Sequence, residues 1–222
     1  VTPADSAYAL RLVEDRLTSG RLALPALNRV LYARRGALVV ATATGETHVA
    51  EGQAWHGAGA CEVGASGASA IALRWELMRG AGPRAGELAG PSPTLLAHVI
   101  DLDPGAAYLM RADRVEFALG GVALPHRHRG GGIRCLLAGA LDVTVGDAPA
   151  RRVTAGGAWF ESGREPVLAV ASKDEPTSFV RVAILPREIR GRTSIVYVDP
   201  ADAERGRPRT YTVYVDEPID IA

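Results

Sequence analysis

One short pattern occurs twice in this chain, about a hundred residues apart, and it narrows the folds available. Gly36-Ala37-Leu38 returns as Gly139-Ala140-Leu141, and Gly52-Gln53-Ala54-Trp55 returns as Gly156-Gly157-Ala158-Trp159. Each copy then reaches an arginine inside an apolar run, Leu73-Arg74-Trp75 in the first and Val180-Arg181-Val182 in the second. Three matches in the same order, at nearly equal offsets, read as a duplicated domain. The period is too long for a solenoid of short repeats.

Within each copy, short apolar runs alternate with Gly, Asp and Pro turns. Residues 37–41, 70–75, 141–145, 167–171 and 179–185 all have this form. Many short strands punctuated in this way predict an all-β chain built as sandwiches or barrels. The opening is different. Thr2 is placed as an N-cap before Pro3 and Asp5, and Leu10, Val13 and Leu17 follow at near-helical spacing until Gly20, so residues 1–21 are expected to form a short helix. The reading is then a β-domain over 22–80, a connector over 81–107 that is rich in Gly, Pro and Ala, and a second β-domain over 108–190. A tail over 191–222 carries two further strand signals, which add to a barrel or to a partner subunit, since an unpaired edge invites aggregation.

Charge narrows the partners. Lys+Arg and Asp+Glu both total 25, so no overall field favours nucleic acid or an anionic membrane. No apolar run approaches the ~20 residues that span a bilayer, and the first residues have no secretory-signal pattern. Cys61 and Cys135 are the only cysteines and have no zinc or disulfide spacing, which suits buried thiols in a reducing, cytoplasmic setting.

The chemistry-bearing stretch is His126-Arg127-His128. Two histidines at i and i+2 on a strand project from one face, where two imidazoles can share a divalent ion. The same pair is also compatible with a surface loop beside Arg127 and Arg129. Two residues after Gly132 comes Arg134, which is costly inside a barrel unless it meets an anion. That anion is either a substrate carboxylate or an internal partner, Glu161 or Glu165; an outward Arg134 is the remaining option. Arg74 and Arg181 recur symmetrically and read as structural, as do Trp55 and Trp159. His48, His56 and His98 read as structural or exposed.

Gly120, His126, His128 and Gly139 stand at the spacing of the first motif of the cupin superfamily, and Gly156 through Gly163 is similar to the second. The resemblance implies two tandem cupin-type barrels (double-stranded β-helix, or jelly roll), the first degenerate because it has no histidine at the equivalent positions. It also exposes two departures. The motif's glutamate falls on Gly132, and its last histidine falls near Pro166. If a metal is bound, the resemblance implies His126 and His128 as ligands with Glu165 completing the set, and Arg134 and Glu161 as catalytic residues. The ion would be Fe, Mn, Ni or Zn. The expected function is a metal-dependent enzyme, an oxygenase (dioxygenase-like chemistry included), isomerase or lyase, acting on a small polar or carboxylated molecule, an anionic one expected from Arg134. The alternative is a non-catalytic small-molecule-binding or structural bicupin without its metal. The degenerate first barrel is expected to serve structure or dimerisation, which makes a homodimer the expected partner.

Overall fold

The computed structural model describes residues 8–80, 92–205 and 209–221. Contacts divide the chain into two units, Val1–Ala106 with Ile219–Ala222, and Ala107–Pro218. The first contains β1 (Tyr8–Leu17), β2 (Leu22–Leu24), β3 (Asn28–Arg35), β4 (Leu38–Thr42), β5 (Gly45–Val49), β6 (Ala54–Gly57), β7 (Cys61–Ala65), β8 (Ala70–Arg79) and β9 (Thr94–Ile100). The second contains β10 (Tyr108–Phe117), β11 (Val122–His128), β12 (Gly132–Ala138), β13 (Ala140–Val145) and β14 (Arg151–Thr154). It continues with β15 (Ala158–Glu161), β16 (Val167–Ala171), β17 (Thr177–Pro186), β18 (Ile195–Tyr197) and β19 (Arg209–Ile219).

The strand order of one unit recurs in the other. One sheet runs β6-β3-β8-β1-β9 in the first and β15-β12-β17-β10-β19 in the second. The other runs β5-β4-β7-β2 in the first and β14-β13-β16-β11 in the second, where β18 is added beside β11. The repeated glycines occupy matching turns: Gly36 (φ 68°) follows β3 and Gly139 (φ 74°) follows β12. A Cβ at these positions would lie 2.6 Å from Ser69 O and 2.5 Å from Pro176 O respectively. Trp55 and Trp159 are each the second residue of their strand and each packs against its own unit's apolar core.

Three expectations need correction. Tyr8–Leu17 is a strand, not part of a helix, and it lies between β8 and β9. Nearly every residue of it is buried, so Leu10, Val13 and Leu17 mark a strand covered on both faces. The proposed cap at Thr2 to Asp5 lies outside the described residues. The connector over 81–107 contains β9, which pairs with β1, while 81–91 lie outside the described residues. The barrel limits 22–80 and 108–190 were too narrow, because β1 and β9 complete the first sheet and β18 and β19 extend those of the second.

The first unit has an ionic interior. Arg29 takes the sequence place that Gly132 holds in the second copy, and Leu31 that of Arg134. The fully buried Glu76 faces Arg29 at 3.2 Å and Arg74 at 2.6 Å and also pairs with Arg11, while Arg74 donates to Asp15 at 2.7 Å. These charges compensate one another, which is what lets them remain buried. The guanidiniums outweigh the effect of burial and hold the Glu76 carboxyl below its usual range.

Candidate functional site

The histidine-bearing strand of the second unit is aimed by a bulge. In β11 the pairing with β16 shifts register between Ala123 and His126, on either side of Pro125, which has no N–H to donate. The buried face therefore passes from Ala123 to His126, and His128 follows two residues later on the same side. The rings meet edge to face with centroids 4.9 Å apart. Both histidines thus point inward from a strand, flanked by β16 and β18, and do not lie in a surface loop.

Each ring has a defined partner. His126 Nδ1 is 2.7 Å from the Leu124 carbonyl, so it carries the proton and Nε2 is the lone-pair nitrogen of the neutral ring. His128 Nδ1 lies 3.3 Å from Arg181 Nη1. A guanidinium only donates, so Nδ1 accepts and the neutral ring carries its proton on Nε2, which faces Glu161 Oε2 at 3.2 Å. Burial pushes the His128 imidazole down to about 3; Glu161 opposes this, while Arg181 and Arg134 add to it. His126 is also lowered, chiefly by burial.

Arg134 projects inward from β12 and is 1% exposed. Its Nη2 stands 2.6 Å from Glu161 Oε2, off the directions of a hydrogen bond, so the contact is chiefly one of charge. Its Nη1 donates to Gly132 O at 2.6 Å. The Trp159 indole N–H donates to Glu161 Oε1 at 2.8 Å. Burial alone would raise the Glu161 carboxyl, but Arg134, His128 and Trp159 together hold it well below the usual carboxylate range. Burial lowers Arg134 to about 10, which leaves it charged at neutral pH. Arg181 in turn pairs with Asp113 through Nε at 3.1 Å and through Nη2 at 2.5 Å.

The structure thus joins His126, His128, Arg134 and Glu161 in one cluster, but not Glu165. That side chain is exposed and its carboxylate accepts from the Ser162 hydroxyl, so, contrary to expectation, it is not placed to ligate a metal beside His126 and His128. Gly163 explains the separation: with φ 87° it turns the chain between Glu161 and Glu165. Of the options open to Arg134, the structure takes the internal partner: it points inward and Glu161 is its counter-ion. The Arg181–Asp113 pair that orients His128 was missed, because the two residues lie 68 positions apart and carry no local signal.

The cluster does not fit a divalent ion as it stands. Among the described residues no group of three or more His, Cys, Asp or Glu side chains is arranged to hold a metal. Both nitrogens of His128 are engaged, and the Glu161 carboxylate already faces a guanidinium. A glutamate at 132 has no room, since a Cβ there would lie 2.4 Å from Val182 O. The space left among these side chains is about 20 Å³, enough for a single water.

No family model and no curated protein matches the sequence. Solved structures do. The chain superposes on AerE from Microcystis aeruginosa with a TM-score of 0.58 at 11% identity, over 80% of this chain and 88% of that one. It superposes on salicylate 1,2-dioxygenase from Pseudaminobacter salicylatoxidans with a TM-score of 0.55 at 11% identity, over 79% and 70%. The shared architecture is an all-β fold of cupin-type barrels. At this identity the likeness is one of architecture alone, and one such architecture hosts many chemistries.

Proposed function

We propose that this cupin binds a small organic molecule in its second unit without a metal ion. The observation that carries the reading is the buried Arg134–Glu161 pair at 2.6 Å. A permanent cation already stands against the carboxylate that would serve a metal, and a divalent ion beside it would meet strong repulsion in a water-poor interior. His128 is held by Arg181 and Glu161 in a form that offers no free lone pair. The cluster therefore acts as a fixed polar partition within the barrel. A small carboxylated ligand is in keeping with the fold neighbour salicylate 1,2-dioxygenase, one structure of which is a complex with gentisate.

A second reading, a metal-dependent and dioxygenase-like enzyme, draws on the free Nε2 of His126 and on that same neighbour. It requires Glu161 to leave Arg134 and His128 to leave Arg181. Elemental analysis separates the two, on protein purified without added metal and again after reconstitution with Fe(II), Mn(II), Ni(II) and Zn(II). Metal far below one equivalent per chain in every case supports the binding barrel. Near-stoichiometric metal that is lost in His126→Ala overturns it.

A further inference from the structure

A second cavity of the same unit, of about 360 Å³, lies where β10, β17, β19 and residues 191–195 meet. That volume falls within the range of small-molecule sites, whereas the inner space of about 20 Å³ admits no organic ligand. Arg181 and Tyr211 line both and so form the wall between them.

Two of its arginines are already paired. Arg111 directs Nε and Nη2 at Asp216, at 2.8 and 3.0 Å, and its Nη1 and Nη2 reach the carbonyls of Arg192 and Ile189. Arg181 is committed to Asp113 and His128. With Arg111, Arg181 and Arg192 opposed by Asp113 and Asp216, the lining carries one uncompensated positive charge, and it belongs to Arg192. The Arg192 guanidinium has no ion-pair partner among the described residues. Two lining residues, Ser194 and Tyr211, have hydroxyls that likewise make no hydrogen bond among those residues. Ser194 is only 2% exposed. Burial raises the Tyr211 phenol above its usual pKa, so it stays protonated and able to donate.

Guanidinium, serine hydroxyl and protonated phenol are all donors, and both lining carboxylates are already spent on arginines. A set of that kind is complementary to an anion. The rest of the lining includes apolar surface from Ile195, Val213 and the Tyr211 ring, and Val213 is 56% exposed. We propose that this outer cavity is the ligand site and that it takes a small organic monocarboxylate with an apolar, ring-sized body. The charged end lies on Arg192, Ser194 and Tyr211, and the body covers Ile195 and Val213. This deepens the binding-barrel reading and rests on its claim that the second unit holds a small molecule.

The test is a titration of the full chain with benzoate, phenylacetate and 3-phenylpropionate, and with the neutral amide of each, followed by amide resonances. At least one carboxylate is expected to saturate, with shifts centred on residues 192–195 and 211–213, and to bind at least about tenfold more tightly than its amide. Arg192→Gln and Tyr211→Phe should each weaken it by about tenfold, the loss that follows from removing a charge-assisted hydrogen bond. Arg192 is exposed and Phe retains the ring, and the amide spectrum reports directly whether each variant is folded. No saturable binding by any of the three acids, equal affinity for acid and amide, or unchanged affinity in both variants overturns the proposal. Metal content of the same samples keeps the two readings apart. Metal-free protein that binds none of the acids overturns this site alone; stoichiometric metal with carboxylate bound at Arg192 upholds the site and overturns the metal-free reading.

Discussion

Acidification from pH 7 should destabilise the second unit through its buried imidazoles, His128 above all. His128 is neutral in the folded state, with its pKa depressed to about 3, against about 6.5 when unfolded. A depressed folded pKa gives stability that is fully present above the unfolded value and is lost as pH falls toward the folded one. Between pH 7 and pH 5 the loss is about 2 kcal/mol, or about 1.4 kcal/mol per unit once below the unfolded pKa. His126 is shifted the same way and adds to it. The structural cause is burial, with guanidiniums at Arg181 and Arg134 around the ring. Urea unfolding at pH 7, 6 and 5, followed through amide resonances of β11 and β12, reads this unit separately. His128→Asn should lose about 2 kcal/mol less than wild type over that interval, whatever its stability at pH 7. Equal losses in the two proteins refute the reasoning.

Glu161→Gln leaves Arg134 buried without its counter-charge and should cost about 3–5 kcal/mol, while Arg134→Met combined with Glu161→Gln should recover much of that loss; the same unfolding experiment measures both. In the first unit, Glu76→Gln should cost a similar amount, about 3–5 kcal/mol, because three arginines share that carboxylate, and β1 and β8 resonances report it. Gly132→Ala drives a Cβ into Val182 O and should destabilise by about 1–3 kcal/mol; a thermal midpoint equal to wild type contradicts the close approach.

The sequence carried the architecture because two independent signals agreed: turn residues between short apolar runs, and the recurrence of Gly36 and Trp55 at Gly139 and Trp159. It carried the inward histidines because i and i+2 on a strand share a face. The first strand was hidden by full burial, since a strand covered on both sides shows no alternation and Leu10, Val13 and Leu17 then mimic a helical stripe. Choosing between Glu161 and Glu165 needed the conformation of Gly163. Arg134 was recognised as needing an anion, with Glu161 named as one option, but only the β12–β15 register brings them together: Gly132 lies opposite Glu161. Residues 192–194 and 211 lie in a tail whose sequence signals strands alone. Their meeting depends on β18 pairing with β11 while β19 pairs with β10.

The first unit is also discontinuous in the chain. The Tyr8 hydroxyl donates to Ile221 O at 2.6 Å and the Asn28 amide to Asp220 O at 2.7 Å, contacts that span 213 and 192 residues. The polypeptide leaves this unit at residue 106, builds the whole of the second, and returns with residues 219–221. The first unit is therefore completed only by residues that follow the whole of the second in the chain. Such long-range closure slows folding and leaves β1 and β3 incompletely tied down in the meantime. It also means that cleavage near residue 107 yields two fragments, neither of which holds all of the first unit's segments.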